Sequence, residues 1–183
     1  MAKVRNNIII QGLSGSLGEQ LVIKQDKSGR TIVAVPPTYD ENRTFSEAQQ
    51  EQQDKFRDAA TYAKDAKTQE VYQEKAEGTP QTPYNVAMAD WFHAPEVQEI
   101  DMDGWTGAAG GVIRIKAVDD VQVTQVTVLI TDSGGTVLEQ GAAANSGGGW
   151  WTYTTQTEVS GSPRVVASAR DLPGHIAELE WED

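Results

Sequence analysis

The chain has 183 residues, no cysteine and a formal net charge of -12 at pH 7. The lack of cysteine excludes disulfides, thiol nucleophiles and Cys-ligated metal centres. Residues 96–183 alone hold 4 Lys or Arg against 14 Asp or Glu, and this negative charge repels phosphate backbones and anionic lipid, so we expect no nucleic-acid partner.

Three apolar runs rich in Ile and Val occupy the first 35 residues, at 4–11, 20–24 and 31–35. Runs of β-branched residues between glycine-containing turns are typical of strands, so this segment is predicted to form a β-meander. Pro36 and Pro37 end the third run, because proline cannot donate a hydrogen bond to a strand ladder.

The first two runs are separated by GLSGSLG, which has glycines at 12, 15 and 18. A phosphate-binding loop needs a helix after its glycines and a lysine followed by serine or threonine. Here the strand-like run EQLVIKQ follows, and the spacing matches neither G-x-G-x-x-G nor G-x-S-x-G. We therefore interpret these glycines as positions of positive φ in the turns of the meander.

The pattern becomes helical after residue 46. Apolar residues then recur at steps of three and four, which predicts a helix with one apolar stripe: Phe56, Ala59, Ala60, Ala63 and Ala66. Thr44 or Ser46 is the predicted N-cap, and Glu47 in the first turn suits the helix dipole.

Two shorter helices are predicted at 69–76 and 84–92, the second with Tyr84, Met88 and Trp91 on one face. Pro95 closes this helical region. Amphipathic helices bury their apolar face against a neighbour, and we expect that neighbour to be the N-terminal meander.

Beyond Pro95 the helical period disappears and short strands follow at regular spacing. They are predicted at 97–102, 112–118, 123–131, 136–141, 150–155, 164–169 and 176–181. Seven strands with Gly, Asp or Pro turns are typical of a β-sandwich. The chain is thus predicted to be an α+β protein of two domains, a β-meander with amphipathic helices over 1–95 and a seven-stranded sandwich over 96–183.

Three segments of the second half, AVDDVQVTQVTVLITDSGGTVLEQGAA, WWTYTT and RVVASARDLPGHIAEL, resemble bacterial immunoglobulin-like domains. Such domains carry a strand V-x-V-x-A-x-D, a turn ending in G-N or G-H, and a last strand. The corresponding residues here are Val166, Ala169, Asp171, Gly174 and His175. The resemblance implies an Ig-like β-sandwich and supplies no catalytic residue. Residues 1–95 resemble hairpin-plus-helix segments of uncharacterised bacterial and phage-like structural proteins.

Catalytic and metal-binding patterns are weak in this sequence. His93 and His175 fall in predicted turns without a neighbouring Ser or Cys arrangement, and we interpret both as surface histidines. Five aspartates lie at or near predicted strand ends, where sandwich turns bring carboxylates together: Asp101, Asp103, Asp119, Asp120 and Asp171. They are candidate calcium ligands, unless they simply reflect the preference of aspartate for turns and solvent. No other cofactor is expected.

Adjacent tryptophans at 150 and 151 occupy one predicted strand, so their side chains point to opposite faces. One of them fills the core, and the other is either covered by the chain's own loops or offers a contact surface for a glycan or a protein. Trp105 and Trp181 are predicted to be core or domain-junction residues.

With no catalytic constellation, we expect a non-enzymatic structural protein that self-assembles, such as a subunit of a bacterial filament, surface appendage or phage-like particle. Open edges of the N-terminal sheet are the expected contact, since an edge strand accepts a strand from a neighbour. The candidate interface residues are Ile8, Ile9, Ile10, Leu21, Ile23, Trp150 and Trp151. The alternative is a carbohydrate- or protein-binding module that uses an exposed tryptophan. The apolar run III at 8–10 is too short for the hydrophobic region of a cleavable signal peptide. Its shortness favours a cytoplasmic or virion-like location or a leaderless export route.

Overall fold

The protein is described from a computed structural model, which covers residues 2–4, 12–18, 20–36, 38 and 44–181 in enough detail to interpret. These residues form three helices and three antiparallel sheets of four strands each. The elements are β1 (Ala2–Val4), β2 (Gly15–Leu17), β3 (Leu21–Gln25), β4 (Thr31–Ala34), α1 (Glu47–Ala66), α2 (Glu70–Ala76), α3 (Pro83–Phe92), β5 (Glu96–Asp101), β6 (Val112–Val118), β7 (Gln125–Thr131), β8 (Val137–Ala142), β9 (Ala144–Gly147), β10 (Trp150–Thr154), β11 (Arg164–Arg170) and β12 (Ile176–Glu180).

The N-terminal sheet has the order β1-β4-β3-β2. Gly12, Gly15 and Gly18 all have positive φ, as predicted, but the segment predicted as a turn also contains the short strand β2, and β3 follows it. Of the predicted first strand at 4–11, Val4 belongs to β1 (Ala2–Val4), which pairs with β4, and residues 5–11 lie outside the described part. The strand beyond the predicted three is β2.

Helix α1 begins after Ser46, one of the two predicted N-caps. The Ser46 hydroxyl accepts a hydrogen bond from the Gln49 N–H while the Gln49 side chain accepts one from the Ser46 N–H, which forms a capping box. The apolar stripe of α1 is only partly buried, since Ala59, Ala63 and Ala66 are buried whereas Phe56 is 56% exposed. On α3 the fully buried residues are Val86, Ala87 and Asp90, and Tyr84 and Met88 of the predicted face pack, partly buried, against the same cluster.

Among the described residues, the apolar faces of the helices are not buried against the N-terminal meander, contrary to the expectation. Their buried cluster contains residues of all three helices and packs against Val121 and Leu172 from the C-terminal strands' connections. The contact from the N-terminal sheet is polar, with the Lys27 Nζ atom donating to the Gln81 main-chain oxygen at 2.6 Å. The helices pack against the C-terminal connections because these offer apolar side chains, whereas the N-terminal sheet contributes a polar hydrogen bond.

Two sheets with the orders β5-β6-β10-β9 and β12-β11-β7-β8 enclose one apolar core. Alternate residues of each strand point inward, as in β6, where Ile113, Ile115 and Ala117 are buried. The strands predicted for this half of the chain agree closely with the observed ones. Strand β9 was not predicted. Its sequence ANSG is exposed throughout and therefore has no apolar period.

The two ends of these sheets differ. Asp101 pairs with Arg114 near the start of β6, so the β5–β6 connection lies at one end, whereas Asp119 follows β6 at the other. Arg170 pairs with Gln125, which brings Asp171 to the same end as Asp119. The helices pack against this second end, which we call the helical end, and we call the first the free end. None of the described helices is long and apolar enough to span a bilayer.

Candidate functional sites

The predicted assembly surface is only partly within the described residues. Leu21 and Ile23 lie on β3, an inner strand of the N-terminal sheet, and Ile23 is buried at 7% exposure. These two side chains therefore line a sheet face rather than an edge. Ile8, Ile9 and Ile10 lie outside the described residues.

The edge strand β2 carries the exposed apolar groups of this sheet. All three residues of β2 are exposed, and Leu17 is 64% exposed. Leu13, just before the strand, is 47% exposed. Among the described residues, strand β2 pairs only with β3, so within this part of the chain its other side presents main-chain groups next to apolar side chains.

The two adjacent tryptophans are separated by the sheet. Trp151 belongs to the sandwich core at 7% exposure, whereas Trp150 is half-buried on the outer face. Tyr153, two residues further along the strand, is also buried. Because alternate residues of a strand share a face, the aromatic pair Trp151 and Tyr153 was the signal in the sequence for which tryptophan faces the core. A contact surface on β10 therefore involves Trp150.

Positive side chains lie over the Trp150 ring. The Arg114 Cζ atom is 4.6 Å from the ring centroid and the Lys116 Nζ atom is 5.7 Å from it. Across β5, Glu99 pairs with Lys116 and Asp101 with Arg114, and an Arg114–Asp101 ion pair of 3.5 Å forms. This outer face thus combines an aromatic ring with balanced charges, a chemistry suited to hydroxyl-rich ligands rather than to strong anions.

A groove of about 590 Å³ lies at the free end of the sandwich. Backbone hydrogen bonds join the two connections that form it, from Val159 N–H to Gly107 O at 2.7 Å and from Gly110 N–H to Thr155 O at 2.8 Å. Its lining mixes apolar and acidic side chains, including Met102, Asp103, Trp105, Glu158, Val159 and Trp181. Trp105 is buried in the core, as predicted. The sequence analysis did not bring Trp105 and Trp181 together, because their proximity depends on long-range packing.

The candidate calcium ligands are divided between the two ends. Asp101 and Asp103 lie at the free end, where the Asp101 carboxylate accepts the Asp103 N–H. The other three lie at the helical end and have partners there: Asp119 accepts from main-chain N–H groups, Asp120 contacts His93, and Asp171 contacts His175. Within the described part of the chain, no group of three or more His, Asp or Glu residues is arranged to hold a metal ion.

The histidines each have an aspartate partner. His93 Nδ1 is 2.5 Å from Asp120 Oδ2, and His175 Nδ1 is 2.9 Å from Asp171 Oδ2. Asp171 Oδ1 also accepts from the N–H groups of Gly174 and His175, both at 2.6 Å. The aspartate of the Ig-like pattern therefore holds the β11–β12 turn together.

A buried carboxyl group that the sequence analysis missed lies between the helices and the sandwich. Asp90 on α3 is 0% exposed and accepts a hydrogen bond from Tyr72 Oη at 2.5 Å. Tyr72 Oη is also 2.6 Å from Tyr62 Oη. Burial is the main factor that raises the pKa of Asp90, to about 6. The available signal was a single acidic residue in the otherwise apolar segment VAMADWF.

Comparisons with known proteins give similarity to parts of solved structures. No protein family and no curated protein matches the chain. An engineered protein in a crystal structure at 1.98 Å is 26% identical with a TM-score of 0.35; the match covers 47% of this chain and 18% of that protein. CopC from Methylosinus trichosporium OB3b is 18% identical with a TM-score of 0.37, over 49% of this chain and 89% of CopC. The aligned part thus spans less than a fifth of the engineered protein.

Proposed function

We propose that this chain is a non-enzymatic structural protein that assembles with further copies of itself through the edges of its N-terminal sheet. The observation that carries the proposal is strand β2, which within the described part of the chain pairs on one side and carries Leu17 at 64% exposure. A strand from a second copy would satisfy the main-chain groups and cover the apolar side chains.

The second half would then be a rigid Ig-like module carried by each subunit. This interpretation is supported by the strand order: β5-β6-β10-β9 corresponds to A-B-E-D, and β12-β11-β7 corresponds to G-F-C, of an immunoglobulin-like sandwich. Strand β8 then takes the place of an added strand beside C. The Asp171 turn before β12 agrees with the resemblance seen in the sequence.

The two edges of the sheet are different strands, β1 and β2, so an edge-to-edge contact between β1 of one copy and β2 of the next would be head-to-tail. Such a contact joins unlike surfaces, and it produces a filament when its rotation does not close into a ring. A bacterial filament, a surface appendage and a phage-like particle are all assemblies of this kind. No bound ion or cofactor is required for this role.

The test is sedimentation velocity with negative-stain imaging of the wild type and of Leu17→Lys. We expect ordered polymers of the wild type and their loss in Leu17→Lys, since a charge on an edge strand opposes strand addition. Leu138→Lys is the matched control, because Leu138 is a 40% exposed leucine on the sandwich edge strand β8. A wild type that stays monomeric at all concentrations and salt conditions would contradict the proposal.

A second candidate function is glycan binding by the Ig-like half. It is favoured by Trp150, whose ring is outward and lies beside the Arg114 guanidinium, and by the groove that contains Trp181. Indole rings stack on sugar faces while carboxylate and hydroxyl groups bind sugar hydroxyls. Affinity electrophoresis on neutral polysaccharides would test it with Trp150→Ala and Trp181→Ala separately. Unretarded wild type in every gel would exclude this function for the sugars used.

A further inference from the structure

A pair of carboxyl groups joins helix α3 to the helical end of the sandwich. Asp90 Oδ2 accepts a hydrogen bond from Tyr72. Asp119 Oδ2 accepts from the main-chain N–H groups of Val121 at 3.1 Å and Gln122 at 2.9 Å. The second oxygen of each carboxyl group, Oδ1, is shielded from solvent and has no hydrogen-bond partner among the described residues.

Asp119 is a hydrogen-bonding neighbour of the Asp90 carboxyl group, and Val121, two residues after Asp119, packs against the buried helical cluster. Ionised carboxylates only accept hydrogen bonds. Two ionised groups would therefore leave two buried acceptors unpaired and place two negative charges side by side, which is costly. One proton removes both costs, because a protonated carboxyl group donates to its ionised neighbour.

The groups around this pair do not supply a positive charge. Tyr62 of α1 and Tyr72 of α2 face it from the helices, and Asp171 faces it from the β11–β12 connection. Both Asp171 oxygens already have donors, including His175 Nδ1 at 2.9 Å. Among the described residues, no lysine or arginine forms an ion pair with Asp90, Asp119 or Asp171.

We propose that Asp90 and Asp119 share one proton between their Oδ1 atoms, and that this hydrogen bond fastens α3 to the sandwich until the proton is lost. This device is independent of the assembly proposed above.

The direction of the pH dependence follows from the pKa of Asp90. Burial raises this pKa most; the Tyr72 hydrogen bond lowers it, the Asp119 and Asp171 charges raise it, and the result is about 6 against an ordinary value of 3.8. The folded state therefore binds this proton on the order of 100-fold more tightly than the unfolded chain. The stabilisation is complete below about pH 4 and is lost as the pH rises through about 6.

The direct test is an NMR titration of the aspartate side-chain carboxyl carbons in the full-length protein between pH 3 and 8. We expect the Asp90 signal to move with a midpoint near 6. An Asp90 signal that completes its titration below pH 5 would overturn the proposal. This measurement needs no variant.

A second test uses Asp119→Asn. The asparagine oxygen can still accept from Val121 and Gln122, while its N–H₂ donates permanently to Asp90. The Tm of the variant minus that of the wild type should therefore increase from pH 4.5 to 7.5, by roughly 4–8 °C. Asp120→Asn is the matched control, since the neighbouring Asp120 contacts His93 on the surface. The Tm of Asp120→Asn minus that of the wild type should not show this increase between pH 4.5 and 7.5.

Two results would count against the shared proton in this second test. One is a Tm difference between Asp119→Asn and the wild type that is independent of pH or is reproduced by Asp120→Asn. The other is a rise in the wild-type Tm on adding calcium at pH 7.5 that is absent in Asp119→Asn, because a cation would then occupy the place assigned to the proton.

Discussion

The Tyr153 hydroxyl donates a hydrogen bond of 2.6 Å to the Glu139 carboxylate, and this bond connects the two sheets of the sandwich. Glu139 lies on β8 and is buried at 9% exposure. Its Oε1 also accepts from the Gln156 N–H at 2.7 Å, and its Oε2 accepts from the Thr157 N–H at 2.9 Å and from the Thr157 hydroxyl. One carboxylate thus holds the start of the β10–β11 connection against the opposite sheet.

Acid should weaken this connection. Burial alone would raise the pKa of Glu139, but the hydrogen bonds from Thr157, Tyr153 and the main chain lower it from 4.5 to about 2. Since the folded pKa is below the unfolded value, the stabilisation is present above about pH 4.5 and is lost as the pH falls towards 2. Urea unfolding at pH 3 and pH 6 measures this loss.

Glu139→Gln should lower the free energy of unfolding at pH 6 by roughly 1–3 kcal/mol, because its N–H₂ group faces donors that then lack an acceptor. Glu158→Gln is the control, since Glu158 is an exposed glutamate that follows Thr157 in the β10–β11 connection. Equal losses in both variants would show that the hydrogen bonds to Glu139 are not the cause.

The adjacent tryptophans should differ strongly in their effect on stability. Trp151→Ala opens a cavity in the sandwich core and should cost about 3–5 kcal/mol. Trp150→Ala removes a half-buried ring and its contact with Arg114, and should cost less than about 1 kcal/mol. Chemical unfolding followed by far-UV circular dichroism gives both values, and similar losses would contradict the assigned faces.

Removal of the helices should expose apolar surface on the sandwich. A fragment of residues 96–183 loses the cover that the helical cluster gives to Val121 and Leu172. We expect its Tm to be lower than that of a fragment of residues 44–183, which keeps this contact. Differential scanning calorimetry compares them, and an equal Tm would show that the sandwich gains no stability from the helices.

The capping box of α1 gives a local prediction. Ser46→Ala removes the acceptor for the Gln49 N–H and should cost about 1 kcal/mol. Ser46→Asp retains an acceptor and should keep most of the stability. The amides of the first turn should exchange faster with solvent in Ser46→Ala, and unchanged exchange would contradict the role of the cap.

Local patterns accounted for much of the fold. Alternation in VIRIKAV predicted β6 at 112–118 with the bounds found, because one face is buried and the other is not. Ser46 was one of two N-cap candidates. The sequence could indicate it because the capping hydrogen bond joins residues only three positions apart. Strand β9 has no apolar period because it is an exposed edge, so pattern analysis could not find it.

The candidate sites depend on contacts that local patterns do not contain. Asp90 and Asp119 are far apart in the sequence and meet only because α3 packs against the helical end of the sandwich. Nothing near Asp90 in the chain indicates its partner. The five turn aspartates were predicted to be near strand ends, but which end each one occupies follows from strand pairing.

The length of β6 keeps the two ends of the sandwich electrostatically independent. Its seven residues, Val112–Val118, separate the groove side from Asp119, which corresponds to roughly 20 Å at about 3.3 Å per residue. The Debye length is only about 8 Å at physiological ionic strength. Loss of a proton at the helical end should therefore change the potential in the groove far less than the potential around Asp119, so that a change in acidity acts mainly on one end of the sandwich.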